Sequence, residues 1–247
     1  MIDNTRFAEA RFRVLGETYD KDGIGTYSEK SLHRILKLCF EPDESYHEIR
    51  VLGKIADVCR GEDIIEVQTR GFKRLKDKLE AFLPHHRVSV VYPLHYEKYI
   101  RTIDRESGVI SERKKSPKKC RVYDAFYELY NIREFLSHKN FSLKLVFLNV
   151  EEYRYNGGSF AGRKTKKERV ECVPNSIYDI IELNSKKDYE IFIPEGLSEE
   201  FCGADFSRAI AKRFKYGYSG IQILKSVGLI VEKQRAGNKI IYKRVEI

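Results

Sequence analysis

The sequence predicts an α/β protein in which helices flank a mixed sheet, followed by a small C-terminal domain. Two observations lead to this fold class. Strand-like runs stand between amphipathic helices in the N-terminal half, and the C-terminal end changes to two short helices followed by two alternating strands. With 42% hydrophobic residues among 247, the chain can also bury a substantial core. We therefore expect two domains, at residues 1–195 and 196–247.

The first predicted element is a helix at residues 29–40, with Ser28 as its N-cap. Residues 1–27 before it end in a turn-rich stretch. Glu29 precedes the first apolar residue of the helix by three positions, which directs its carboxylate along the buried stripe. That stripe consists of Leu32, Ile35, Leu36, Cys39 and Phe40.

The elements that follow are predicted from periodicity and turn residues. Three strands are separated by turns at Gly53 and Gly61, and helices and further strands come after them. In order, we expect strands at 47–53, 54–60 and 63–69, a helix at 71–83, a strand at 87–94, a hairpin of 97–103 with 109–115, a helix at 123–136 and a strand at 143–150. Residues 151–194 read as polar loops with room for two strands.

The C-terminal residues read as a winged helix-turn-helix. Two short helices at 205–213 and 219–227 precede strands at 229–235 and 239–245, with Gly237 and Asn238 in the turn. The second helix would then be offered to a DNA groove. The predicted wing carries four cations: Arg235, Lys239, Lys243 and Arg244. The alternative is a winged-helix module that serves protein contacts or dimerisation.

The positive charge of the chain is concentrated in three segments. The formal net charge is +9, which favours an anionic partner, nucleic acid before membrane. Residues 113–121 carry six cations and no acid, residues 163–169 carry five cations and one acid, and residues 204–247 carry ten cations and three acids. A single basic run is most often a solvated loop, whereas three separate runs favour phosphate binding.

The remaining composition indicates a protein of the cytoplasm. Five cysteines without a CxxC pair argue against a disulfide framework and a structural zinc site. No apolar run approaches the length of a membrane span, and the N-terminus has no apolar targeting segment. We therefore expect no membrane partner.

Two carboxylates stand in strands that otherwise read as buried. Asp57 and Glu66 are flanked by apolar residues on both sides, and buried carboxylates require a compensating partner. If the two strands form a hairpin, these side chains converge on one point, with Glu29 approaching from the helix. With the main-chain carbonyl of Val67, they would form the oxygen cage that Mg²⁺ or Mn²⁺ prefers.

The order of helix, three strands, helix and strand, with these carboxylates, resembles the PD-(D/E)XK (restriction-endonuclease-like) nuclease superfamily over about residues 28–94. The resemblance implies that Asp57 and Glu66 bind the catalytic metal and that Glu29 is an auxiliary acid. Gln68 stands where the superfamily usually has a lysine that orients or activates the attacking water. Because glutamine carries no charge, activity would need either a tolerated glutamine or a lysine from elsewhere, such as Lys54, Lys73 or Lys76.

These observations predict a metal-dependent deoxyribonuclease acting on double-stranded DNA, an endonuclease rather than an exonuclease. Double-strand cutting with one site per chain would usually require a homodimer. The residues expected to contact phosphate, besides the wing, are Thr69, Arg70, Lys118 and Lys119. One alternative is an inactive nuclease-like protein that binds DNA or regulates. Another is a protein that binds or cleaves RNA.

Overall fold

A seven-stranded mixed sheet is the central feature of the structure, a computed structural model that describes residues 3–22, 29–156, 159–160, 163–164, 169–212 and 214–246. The helices are α1 (Asn4–Asp22), α2 (Glu29–Phe40), α3 (Lys76–Phe82), α4 (Phe126–Leu129), α5 (Gly203–Ala209) and α6 (Phe214–Ser226). Short 3-10 helices cover Glu44–Tyr46, Phe72–Leu75, Val122–Ala125, Tyr130–Phe135 and Lys186–Phe192.

The strands are β1 (His47–Val51), β2 (Lys54–Arg60), β3 (Asp63–Val67), β4 (Arg87–Ile103), β5 (Lys114–Lys115), β6 (Phe141–Tyr155), β7 (Ser159–Phe160), β8 (Arg163–Lys164), β9 (Arg169–Leu183), β10 (Glu200–Cys202), β11 (Ile230–Ala236) and β12 (Lys239–Arg244). The large sheet has the order β1-β2-β3-β4-β6-β9, and β5 pairs with β4. The predicted α/β class with a mixed sheet is confirmed. A restriction-endonuclease-like fold stays a prediction.

Strands β2, β3 and β4 show how the sheet becomes mixed. β2 and β3 are antiparallel and joined by the turn at Gly61, whose φ of 62° suits glycine. β3 and β4 are parallel, with Ile64 opposite Val88 and Glu66 opposite Val90. A parallel pair needs a crossover connection, and the 3-10 helix Phe72–Leu75 with α3 supplies it. The single helix predicted at 71–83 is observed as these two consecutive short helices.

Several elements differ from the sequence prediction. Helix α1 precedes the first element that the sequence predicts, and it buries Phe7, Ala10 and Val14 on one helical face. Strand β9 occupies residues predicted to be mostly loop. β9 is the last strand in the sheet order, where one polar face and Pro174 are tolerated. The predicted helix at 123–136 is mostly 3-10 helix, with a kink at Ile132.

The C-terminal residues form a small sheet of the order β10-β12-β11, accompanied by α5 and α6. The predicted hairpin is confirmed, with Ala236 opposite Lys239 across the turn. β10 is an additional strand, α5 begins two residues before the predicted start and ends four before the predicted end, and α6 begins at Phe214 instead of residue 219. The winged-helix assignment stays a prediction.

The chain divides into two compact units, each made of three segments. The first comprises Met1–His47, Pro93–Cys120 and Val146–Ile180, and the second comprises Glu48–Tyr92, Arg121–Leu145 and Ile181–Ile247. The predicted domain 196–247 lies inside the second unit, and a boundary at residue 195 stays a prediction. In the part of the chain that the structure describes, no helix is long and apolar enough to cross a membrane.

Candidate active site

The β2–β3 hairpin of the second unit brings Asp57 and Glu66 together. Val58 pairs with Ile65 across the hairpin, so the next positions along the antiparallel ladder place Asp57 beside Glu66. Both side chains are buried, with 8% of Asp57 and 1% of Glu66 exposed. The convergence that the sequence predicts for these two carboxylates is therefore confirmed.

Main-chain N–H groups fix one oxygen of each carboxylate. The N–H of Asp57 donates to Glu66 Oε1 at 3.3 Å, and the N–H of Val67 donates to Asp57 Oδ2 at 2.8 Å. Each strand of the hairpin thus positions the carboxylate of the other. The second oxygens, Asp57 Oδ1 and Glu66 Oε2, are the ones that lie near a lysine.

That lysine is Lys78 of α3. Its Nζ donates to Glu66 Oε2 at 2.7 Å and lies 3.9 Å from Asp57 Oδ1. Leu75 at the end of the preceding 3-10 helix, and Leu79 and Phe82 of α3, are buried at helical spacing. Lys78 stands three residues after Leu75, on this stripe. The helical spacing is therefore the sequence signal that could have identified Lys78.

None of the three lysines named above as possible replacements for the charge missing at Gln68 has a described contact with Asp57 or Glu66. Lys54 and Lys73 are exposed, and Lys76 forms an ion pair with Glu134. Gln68 itself is half exposed just beyond β3, and its side-chain amide donates to the carbonyl of Arg70. The positive charge beside the carboxylates thus comes from Lys78.

Burial controls the protonation of Glu66. Loss of solvent, followed by the negative charge of Asp57, raises the pKa of Glu66 from 4.5 to about 7 against the opposing effect of the Lys78 ammonium. A carboxyl group that titrates near neutral pH can hold or release a proton under physiological conditions. Such displaced pKa values are concentrated at functional sites.

For two other predicted participants, Glu29 and the main-chain carbonyl of Val67, the described residues give the position in the chain but show no contact with the carboxylate pair. Glu29 is the first residue of α2 in the first unit, but its side chain lies outside the described residues, so its role stays a prediction. Val67 ends β3, and the N–H of the next residue, Gln68, donates to the carbonyl of Val91 at 2.9 Å. The role of the Val67 carbonyl as a metal ligand also stays a prediction.

The predicted phosphate contacts fall in three places. Thr69 and Arg70 follow β3 after Gln68, and Arg70 is exposed. Lys118 and Lys119 are exposed in the first unit, where Lys119 Nζ lies 3.0 Å from Glu97. The hairpin of β11 and β12 presents the remaining four to solvent, namely Arg235, Lys239, Lys243 and Arg244. Contact of any of these groups with nucleic acid stays a prediction.

The donor set of the carboxylate pair is compatible with Mg²⁺. Magnesium is commonly held by one or two carboxylates together with water and substrate phosphate, and Asp57 and Glu66 supply hard oxygen ligands. Within the described ranges, no group of three or more histidine, cysteine, aspartate or glutamate side chains is suited to hold a metal. A metal at this pair would therefore depend on water, main-chain or substrate oxygens for its other ligands.

The fold and this cluster define an α/β protein with a buried carboxylate–lysine site. The sequence matches the model of a domain of unknown function (DUF8091) over residues 30–184, and the chain belongs to that family. The matched region includes Asp57, Glu66 and Lys78. An uncharacterized protein of Treponema pallidum (strain Nichols) is 29% identical over 223 residues, which cover 90% of this chain and 87% of the relative. No solved structure matches the chain.

Proposed function

We propose that this protein is a metal-dependent nuclease that hydrolyses phosphodiester bonds of DNA. The observation that carries the proposal is the cluster of Asp57, Glu66 and Lys78, in which two buried carboxylates on paired strands share one lysine. Carboxylates and an ammonium group are the residue types that phosphodiester hydrolysis uses to bind a metal and stabilise developing charge.

Asp57 and Glu66 would hold Mg²⁺ or Mn²⁺, with the carbonyl of Val67 as a further ligand. When bound, the ion would lower the pKa of a water molecule and stabilise negative charge on the phosphate. Lys78 Nζ, 2.7 Å from Glu66 Oε2, would orient a water molecule or contact a phosphate oxygen. A bound cation would favour the ionised form of Glu66, whose pKa of about 7 belongs to the metal-free site.

In this proposal the catalytic positive charge comes from Lys78 and not from position 68. An uncharged Gln68 stands at the usual lysine position of the superfamily that the sequence resembles, and a glutamine cannot supply a cation. In the proposed site, Lys78 supplies that charge from a helix. The net charge of +9 and the exposed cations on the β11–β12 hairpin support DNA as the substrate.

The test is DNA cleavage with Mg²⁺, with Mn²⁺ and with EDTA. We expect cleavage that needs the metal and is lost in Asp57→Asn and in Glu66→Gln. Glu152→Gln is a matched control, because Glu152 is another buried carboxylate, is paired with Lys98 and lies in the first unit. Cleavage that survives both site substitutions, or that survives EDTA, would overturn the proposal.

The ion pair between Lys78 and Glu66 also favours a second candidate function, an inactive nuclease-like protein that binds DNA. A lysine that neutralises the carboxylate can take the place that a metal would occupy. Binding of Mn²⁺ distinguishes the two, because a ligand of the folded state must raise the melting temperature. A melting temperature that millimolar Mn²⁺ raises in the wild type but not in Asp57→Asn supports the nuclease, and no rise in the wild type supports the inactive protein.

A further inference from the structure

Four tyrosines lie where α6 meets α4 and the 3-10 helix after it in the second unit, and we call them the tyrosine strip. Tyr127 and Tyr130 come from α4 and the 3-10 helix after it, and Tyr216 and Tyr218 come from α6. The rings of Tyr127 and Tyr216 have centroids 6.4 Å apart, and those of Tyr130 and Tyr218 have centroids 6.1 Å apart. Tyr127 and Tyr218 are 47% and 48% exposed.

Three cations are interleaved with these rings. Lys215 Nζ lies 4.5 Å from the ring centroid of Tyr127, and Arg133 Cζ lies 4.3 Å from that of Tyr130. Lys212 Nζ lies 5.9 Å from the ring centroid of Tyr216 but forms an ion pair with Asp124, so Lys215 and Arg133 are the cations that the strip offers to phosphate. Lys215 and Tyr218 stand three residues apart on α6 and share a helix face, so Lys215 lies between the exposed rings of Tyr127 and Tyr218. Aromatic rings next to positive charge are typical of surfaces that bind single-stranded nucleic acid.

The contact between α6 and α4 is held by residues other than the exposed Tyr127 and Tyr218. Gly220 brings α6 close to Phe126 of α4, so closely that an added Cβ would lie 2.5 Å from the ring. Ile221 and Leu224 of α6 are also buried. The contact is thus held by glycine and apolar residues, while Tyr127 and Tyr218 leave about half of their surface in water.

We propose that the tyrosine strip binds single-stranded DNA, with bases stacked on Tyr127 and Tyr218 and phosphates near Lys215 and Arg133. The choice of DNA rests on the proposed function, but binding at the strip does not require cleavage. Within a duplex each base face is already covered by its neighbours, so only unpaired nucleotides offer a face to a tyrosine ring. The strip would accordingly select DNA with unpaired segments.

The test is fluorescence anisotropy with a labelled oligodeoxythymidine of about 12 nucleotides, within the usual range of site sizes. EDTA is present throughout, so a failure of the nuclease proposal does not affect the result. Each stacked base contributes about 1–3 kcal/mol, so Tyr127→Ala and Tyr218→Ala should each weaken binding by about 5- to 150-fold. Tyr218→Phe should retain the affinity, because a phenyl ring also stacks.

Salt dependence separates stacking from charge. Lys215→Gln should reduce the slope of log K against log salt by about 0.7, the value for one phosphate contact on a single strand, whereas Tyr218→Ala should leave the slope unchanged. Phe12→Ala is the control, because Phe12 is an 81% exposed aromatic residue in the first unit, and it should leave the affinity unchanged.

Three results would overturn the proposal. The first is unchanged affinity in both Tyr127→Ala and Tyr218→Ala. The second is an equal loss in the Phe12→Ala control, which would mean that the tyrosine strip is not the site. The third is an equal loss of affinity for a duplex of the same length in Tyr127→Ala and Tyr218→Ala, because the strip would then not select unpaired bases. Melting temperatures of all variants confirm that the loss of binding is not a loss of folding.

Discussion

Replacing Glu66 by glutamine should change how the stability of this protein depends on pH. Glu66 is 1% exposed, and burial, followed by the charge of Asp57, raises the pKa of Glu66 from 4.5 to about 7 despite the opposing ammonium of Lys78. The folded state therefore binds this proton more tightly than the unfolded state does. The stabilisation is complete below about pH 4.5 and is lost as the pH rises to about 7.

The size of the effect follows from the pKa shift. One pKa unit corresponds to about 1.4 kcal/mol, so the shift of Glu66 from 4.5 to about 7 costs the wild type about 3 kcal/mol of unfolding free energy at high pH. Glutamine has the shape of the protonated carboxyl group and cannot ionise. The free energy of unfolding of Glu66→Gln, relative to the wild type, should therefore increase by about 3 kcal/mol between about pH 4 and about pH 8.

Urea unfolding followed by circular dichroism across this pH range measures the difference. A constant packing effect of the amide shifts all points equally, so the change with pH is the informative quantity. If the gap between variant and wild type stays the same at every pH, Glu66 does not have a raised pKa and the electrostatic account of the site is wrong.

Glu152 provides a control of opposite sign. Burial raises the pKa of Glu152, but hydrogen bonds and charges from Lys98 and Arg154 outweigh burial and lower it. The stabilisation that Glu152 contributes is present above its unfolded pKa and is lost as the pH falls through its lower folded value. Glu152→Gln should therefore destabilise the protein most at neutral pH and progressively less on acidification.

Three further changes test other parts of the structure. Lys78→Gln should raise the pKa of Glu66 further, because Lys78 lowers it, and should reduce cleavage by about 100-fold or more; unchanged initial rates would argue against a role for this lysine. Gly220→Ala should lower the free energy of unfolding by about 1–3 kcal/mol, because the new methyl group would lie 2.5 Å from the ring of Phe126; urea denaturation measures this, and a neutral result would mean that α6 shifts easily. Cys39 is buried and its thiol pKa is raised to about 11, chiefly by burial, so Cys39→Ser should leave the number of thiols that react rapidly with a thiol reagent at neutral pH unchanged; the loss of one rapidly reacting thiol would contradict its burial.

Local patterns were sufficient for the hairpin that forms the site. The apolar residues on both sides of Asp57 and of Glu66 indicate two strands, and Gly61 between the strands indicates a tight turn. Because a two-strand hairpin fixes which residues lie opposite each other, the convergence of the two carboxylates could be predicted without any long-range information.

Lys78 was harder to identify because its role depends on a contact twelve residues from Glu66 along the chain. The helical stripe places Lys78 on the buried face of α3, but only the parallel pairing of β3 with β4 positions that helix against the carboxylates. Similarly, the polar sequence of β9 reads as loop, and its pairing with β6 at the end of the sheet makes it a strand.

The sequence by itself determined the fold class, the hairpin with Asp57 and Glu66, and the two-stranded C-terminal ribbon, because each depends on residues close together in the chain. The tertiary structure decided which cation meets the carboxylates, how strongly Glu66 is desolvated, and that Tyr127 of α4 meets Lys215 of α6. Those features arise from contacts between distant segments, and burial at such contacts sets the electrostatics. Lys78, rather than Gln68, therefore completes the proposed site.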